Sequence, residues 1–323
     1  MADVPGLSPT AGGTLCVLGG TGFVGARVVA HLAATGYRLR LPTRDPVRAR
    51  HLSVLPNARL LRADVHDPNT LARLVAGCDG VVNLVGILNE AGYDGSGFRR
   101  AHSELAAKLV DACAQGGAPK LVQVSALHAD VNGPSHYLRS KGEAEAAIIS
   151  AAALRWTILQ PSVIYGPGDS FLNRFAGLLR QLPVALPLAC PGSRFAPVHI
   201  DDVVTAVARA LQDPTTDGRT YELCGPEIYT LRELVQMIAV ATGKRRWIIG
   251  LPDWAARLQA RVMERLPGKI FTLDNYRSLG VPSVCRSNGC AELGITPRSL
   301  QLNLAASLGQ SPQSARSQGA PAY

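Results

Sequence analysis

Leu15-Cys16-Val17-Leu18-Gly19-Gly20-Thr21-Gly22-Phe23-Val24-Gly25 is the stretch that decides the fold of this 323-residue chain. Its four apolar residues read as a short buried strand, and a helical pattern follows from Val24 to Thr35. Between them, glycines at 19, 22 and 25 allow a tight turn, a close approach of backbone to a pyrophosphate, and close packing of helix on strand. The unpaired N–H groups and positive dipole end of the helix then face the phosphates. A glycine pattern alone is weak, but with the strand before it and the helix after it the stretch reads as a dinucleotide-binding turn.

Outward from this turn, the same alternation repeats. Leu39–Leu41, Leu60–Leu61, Val81–Val85, Leu121–Val124 and Trp156–Leu159 read as strands, with helices over His102–Gln115 and Tyr137–Ala153. Alternation of this kind predicts an α/β fold, a doubly wound parallel Rossmann sheet. Beyond Pro161 it fades into proline-rich and helical sequence, such as Leu231–Thr242, so a smaller, mostly helical C-terminal lobe is expected. The expected division is a disordered tail over 1–13 and a nucleotide-binding domain over 14–170, with 197–212 returning to it. The smaller lobe then takes 171–196 and 213–309, and a Ser/Gln/Ala/Pro-rich tail takes 310–323.

Composition narrows the function classes. With 47% hydrophobic residues the chain can bury a large core, yet no apolar run approaches the roughly 18 residues that span a bilayer. Neither a secretory signal nor an Arg-rich presequence is visible at the start, and the seven cysteines are scattered, so reduced thiols and a cytoplasmic location are expected, with a peripheral place at the inner face of the membrane as the alternative. No cysteine spacing completes a metal site. Of the net charge of +9, six arise between residues 241 and 300, where ten Lys/Arg face four Asp/Glu. Such a patch suits an acidic partner, anionic lipid or a phosphorylated ligand better than nucleic acid, for which no reading motif is present.

The end of the second strand speaks to the choice of nucleotide. An acid there would hold the ribose of NAD(H). This chain has Thr43-Arg44, with Arg48 one turn on, and an arginine can clamp a 2′-phosphate where an acid would repel it. NADP(H) is therefore the expected cofactor, with NAD(H) possible. Asp64 and Val65, after the third strand, are placed to bracket the adenine, although Asp64 could equally cap a loop.

Tyr137 and Lys141 stand four apart on a predicted helix and so share one face. An ammonium beside a phenol lowers its pKa and suits it to general acid–base work. With eight Tyr and five Lys in the chain, random placement gives such a pair about 0.1 times. Together with the glycine turn, three further segments resemble the extended short-chain dehydrogenase/reductase superfamily: Tyr137-Leu138-Arg139-Ser140-Lys141, Pro161–Pro167 and Val198–Val203. Val82–Gly86, Val124-Ser125, Phe171–Phe175, Gly225-Pro226 and Tyr229–Leu231 resemble an atypical subgroup of it. That subgroup contains the NADPH-binding accessory subunit of respiratory complex I and its bacterial relatives.

The resemblance implies nucleotide contacts at Gly19, Thr21, Gly22, Phe23, Val24, Gly25, Arg44, Asp64, Val65, Leu84, Val85, Gly86, Lys141, Pro161 and Ser162. It implies a catalytic set of Tyr137, Lys141 and Ser125, with Lys141 also on the nicotinamide ribose. It also exposes two departures. Counting from Ser125, the hydroxyl residue of the superfamily's tetrad is replaced by Leu127, and the tetrad Asn falls at His102. Losing one such donor typically costs about 10²–10³ in rate, unless His128 or Ser125 takes its place. The sequence therefore supports an NADP(H)-binding, quinone- or complex-I-related oxidoreductase-like protein. A non-catalytic nucleotide-bound accessory protein and a sugar-nucleotide epimerase or dehydratase are the alternatives.

Other candidates read as architecture. Asp201-Asp202 are expected to cap a helix, His199 to pack in the core, and Tyr165–Asp169 to form a turn. In Pro252–Leu266, Trp254, Leu258, Val262 and Leu266 recur every four residues beside Arg257, Arg261 and Arg265. This is expected to be a core-packed amphipathic helix with a solvated arginine edge, the alternative being a surface for a protein partner or a membrane.

Overall fold

The computed structural model describes residues 12–118 and 120–309. The two expected tails lie almost wholly outside them. In chain order the strands are β1 (Thr14–Leu18), β2 (Arg38–Thr43), β3 (Ala58–Arg62), β4 (Gly80–Asn83), β5 (Lys120–Val124), β6 (Arg155–Pro161), β7 (Ala185–Leu188), β8 (Arg219–Leu223) and β9 (Trp247–Gly250). Four further two-residue strands pair locally. The helices are α1 (Phe23–Ala34), α2 (Pro68–Val75), α3 (Ser96–Ala101), α4 (Ser103–Gly116), α5 (His136–Ile149), α6 (Phe171–Gln181), α7 (Ile200–Gln212), α8 (Leu231–Ala241), α9 (Asp253–Met263), α10 (Leu273–Leu279) and α11 (Leu300–Ser307).

Seven strands make one parallel sheet in the order β8-β6-β5-β4-β1-β2-β3. Because side chains alternate along a strand, β1 sends Leu15 and Val17 to one core and Cys16 and Leu18 to the other. The first core is closed by Val28 and Leu32 of α1 with Val203 and Val207 of α7. The second is closed by Leu71 of α2, Leu105 and Leu109 of α4 and Ile148 of α5. Apolar on both faces, the strands read as near-continuous hydrophobic runs, which is why they were visible in the sequence. The chain order reverses between β1 and β4, and a crevice for a ligand opens at such a switch point.

Four elements differ from the sequence reading. Helices α2 and α3 were not foreseen. Segment 213–309, expected to lie in the smaller lobe, sends β8 back to the main sheet, where it pairs along β6 from Arg219↔Thr157 to Leu223↔Pro161. Cys290, Leu293 and Ile295 follow it into the first core. At α7 the cap is not the aspartate pair: the His199 ring accepts from the Asp201 N–H, while Asp202 is buried and pairs with Arg298. His199 itself is buried edge-on against Tyr165, as a core histidine should be.

The smaller lobe packs α6, α8 and α11 around Leu172, Leu179, Leu234, Ile238 and Leu304, with β7 and β9 paired in parallel beside them. The edge strand β8 is pinned to the main sheet by a buried cation. Lys120, at the start of β5, pairs with Asp217 and donates to Thr157 at 2.9 Å and Thr216 at 3.2 Å. Removing one partner of such a pair strands the other charge in the interior. Asp217→Asn is expected to destabilise the protein by about 3–5 kcal/mol, read as a lower urea midpoint; an unchanged midpoint would show that the pair does not anchor β8.

Candidate nucleotide site

The crevice is built from the glycine turn. Gly19 adopts φ +73°, and a Cβ there would lie 2.8 Å from the Leu84 carbonyl carbon just past β4. A Cβ on Gly25 would overlap the Gly19 carbonyl oxygen, so the first turn of α1 sits directly on the loop. Gly22 is the N-cap of α1, and no side chain caps the helix start. Its first N–H groups are thus free to serve an anion, as a pyrophosphate requires. Leu84 and Val85 are tied above the turn by N–H bonds to the Leu18 carbonyl and to Asn83 Oδ1. A dinucleotide fits this backbone.

Arg44 and Arg48 are exposed at the end of β2 and form no salt bridge among the described residues. The acid beside them, Asp45, is also exposed and accepts from the Val47 and Arg48 N–H groups of its own loop at 3.1 and 3.2 Å. Asp64 caps its own turn, accepting from the His66 N–H at 3.0 Å, and Val65 packs against the second core. Ser162 is buried, with its hydroxyl 2.8 Å from the Ser283 carbonyl oxygen and 2.9 Å from the Ser283 hydroxyl.

Helix α5 presents Tyr137 and Lys141 on its inner face. Its start is held from the smaller lobe: Asp274 accepts from the His136 and Tyr137 N–H groups at 2.6 and 3.1 Å, and Ser135 caps Leu138. Lys141 is buried and donates to the Val124 carbonyl at 3.3 Å. Burial lowers its pKa to about 8, against the pull of Glu145 one turn on. The expected lowering of the Tyr137 phenol does not occur here; burial pushes it up to about 12. Spacing puts the two groups on one face, and burial of the phenol sets the direction of its shift.

His102 stands where the tetrad Asn was expected, and both ring nitrogens are committed. Nε2 accepts from the Ile87 N–H at 3.1 Å, leaving Nδ1 to donate to the Ser140 hydroxyl at 2.8 Å. Burial and the Lys141 charge drive its pKa down to about 2, so the ring is neutral. It ties the β4 loop to α5 and packs edge-on, 5.6 Å from the Tyr137 ring. Leu127 is buried against Ala196, Cys224 and Cys285. His128, at φ +58°, points its ring to the Val284 carbonyl, 2.9 Å away. The Ser125 hydroxyl is buried without a hydrogen-bond partner among the described residues, while the Glu145 carboxylate accepts from Gln160 at 2.8 and 2.9 Å. His128 therefore does not replace the donor lost at Leu127, whereas the Ser125 hydroxyl is left unengaged.

Cys224 and Cys285 are joined as a disulfide, which corrects the expectation of reduced thiols throughout; the other five cysteines are free. The sequence reading also missed Glu145, Gln160, Asp274 and Ser283. Glu145 alone had a local signal, being four residues from Lys141 on the same helix.

Residues 19–170 match a family model described as NAD(P)H-binding. The chain is 30% identical to NADH dehydrogenase [ubiquinone] 1 alpha subcomplex subunit 9, mitochondrial, of Arabidopsis thaliana, over 92% of this chain and 77% of that one. It is also 30% identical to the ceramide reductase of Caulobacter vibrioides, over 76% of each. The chain belongs to the atypical extended short-chain dehydrogenase/reductases. A solved UDP-glucuronic acid 4-epimerase from Bacillus cereus, bound to UDP-glucuronic acid and NAD, has the same fold at a TM-score of 0.73 and 16% identity, covering 92% of this chain and 98% of that one. The family match makes a nicotinamide dinucleotide the ligand of this chain.

Two measurements probe this site. Lys141 is held charged in the interior below pH 8, whereas the unfolded side chain keeps its proton to about pH 10.4. Between those values the unfolded state binds more protons, so stability contributed by this group rises as the pH rises from 8 to about 10.4. Lys141→Met is expected to flatten that rise in a series of urea melts; an identical slope in both proteins would contradict the shift. Thiol titration of the unfolded, unreduced protein should count five thiols, and a count of seven would remove the Cys224–Cys285 bond.

Proposed function

We propose that this protein is an NADP(H)-bound accessory protein of quinone- or complex-I-related electron transfer, working in the cytoplasm at the inner face of a membrane, with turnover reduced or absent. The observation that carries this reading is the packing of Leu127 on Cys224 and Cys285, with His128 engaged elsewhere. Leu127 has no donor with which to polarise a substrate carbonyl, and oxyanion donors are a large part of the rate in this kind of chemistry; the unengaged Ser125 hydroxyl is the group that would supply any residual turnover. The named complex I subunits among the relatives support the setting. Among the described residues no helix is long and apolar enough to cross a membrane.

The preference for NADP(H) rests on Arg44 and Arg48, exposed where the ribose ends, and on Asp45 accepting from its own loop. When bound, the nicotinamide supplies or takes a hydride. This chain's part is to hold the pyrophosphate on α1, to set Lys141 beneath the ribose, and to keep the Tyr137 proton in place.

A second reading, a slow reductase of an apolar carbonyl or quinone, is favoured by the intact Tyr137 and Lys141 and by the ceramide reductase among the relatives. NADPH should bind at least about tenfold more tightly than NADH, and Arg44→Ala should lose that margin while leaving NADH unchanged. Equal affinities in the parent protein would remove the NADP(H) preference. Oxidation of NADPH against a panel of quinones and carbonyls separates the two readings: a rate abolished by Tyr137→Phe would establish the reductase, and a rate indifferent to it the accessory role.

A further inference from the structure

Helix α9 is packed the wrong way round for a core helix. The residues it buries are Ala256 and Ala260. Its large apolar side chains point outward instead, Trp254 at 71% exposure and Leu258 and Val262 at 53% each. This overturns the expectation of a core-packed stripe. Leu266, just past the helix, is exposed as well.

The surface continues onto β9. There Ile248 joins the core of the smaller lobe, while its neighbours Trp247 and Ile249 are exposed, Trp247 at 74%. Ile249 is in register with the exposed Pro187 of β7, and the Pro187 carbonyl accepts from Gln259 of α9 at 3.3 Å. The two elements of this surface are thus joined through Pro187, and each exposes large apolar side chains.

Its charge has a single sign. Arg257 is engaged by Asp253 and Tyr276, and Arg246 by the Leu182 carbonyl. Lys244, Arg245 and Arg261 are exposed, and their side chains make no hydrogen bond or ion pair among the described residues. The acids nearby are spent: Asp253 on Arg257, and the buried Glu264 on the Leu273 N–H at 3.1 Å.

We propose that this face, the outer side of α9 together with Trp247 and Ile249 of β9, docks on an anionic lipid bilayer. Indole rings at the level of the headgroups, aliphatic side chains below them and arginines toward the phosphates are what an interfacial helix presents. A second copy would set these unpartnered cations against each other, and a projecting helix offers no groove for a partner's side chains. The proposal deepens the membrane-peripheral placement given above and does not depend on the nucleotide reading.

Flotation of the full-length protein with vesicles tests it. The protein should rise with vesicles of phosphatidylcholine and phosphatidylglycerol in equal parts, at least about tenfold more than with phosphatidylcholine alone. Its tryptophan emission should shift to the blue on binding. Trp254→Ser with Leu258→Ser should abolish the flotation, and Arg245→Glu with Arg261→Glu should weaken it, since both pairs are exposed. NADPH binding and melting temperature of the variants should match the parent, so a failure here is distinct from a failure of the nucleotide site. Protein that stays at the bottom with anionic vesicles, or variants that float as the parent does, would overturn the proposal. So would a dimer that disperses in the Trp254→Ser, Leu258→Ser variant when no lipid binding is seen.

Discussion

The contact on which the molecule turns is backbone against backbone: the Gly19 turn pressed onto the end of β4, and the first turn of α1 pressed onto Gly19. No side chain fits in either gap. That closeness brings β1, β4 and the helix start to one point at the switch in strand order, and it leaves the leading N–H groups of α1 without a side-chain cap. A site for a diphosphate follows from sterics alone, before any charged residue is considered.

Around that fixed point the catalytic half of the crevice has been rebuilt. Tyr137 and Lys141 keep their places because α5 is gripped at its start by Asp274 from the smaller lobe and along its length by the second core. The groups that ought to face them have changed character. His102 has become a neutral strut between the β4 loop and Ser140, and Leu127 an apolar contact for a disulfide. The pair thus stands beside a neutral imidazole, and the place of the tetrad hydroxyl holds an aliphatic side chain.

What was legible in the sequence followed from periodicity and from local chemistry. Strands buried on both faces are unbroken apolar runs, the glycine spacing has one good structural explanation, and Tyr137 and Lys141 share a face because a helix repeats every 3.6 residues. What was not legible depended on context. Arg219-Thr220-Tyr221-Glu222-Leu223 is too polar to announce a sheet strand, and it pairs with β6 because Lys120 and Asp217 hold its approach. The spacing of Trp254, Leu258 and Val262 defined a stripe but not the side on which the rest of the protein lies. Cys224 and Cys285 are 61 residues apart, and nothing local links them. The phenol of Tyr137 was misjudged because spacing reports neighbours and not desolvation.

The position of β8 at the edge of the sheet has a consequence for how the chain acquires its shape. Its partner β6 ends at Pro161, but the strand that covers it is not made until Arg219, after α6, β7 and α7 have been spelled out. A nascent chain therefore carries the nucleotide-binding half with a raw flank of unpaired amides and carbonyls, a template for wrong pairings, until synthesis passes Leu223. The first half of the polypeptide is in this sense not a module that can be cut away: its last hydrogen bonds, and part of its interior at Cys290, Leu293 and Ile295, are delivered late.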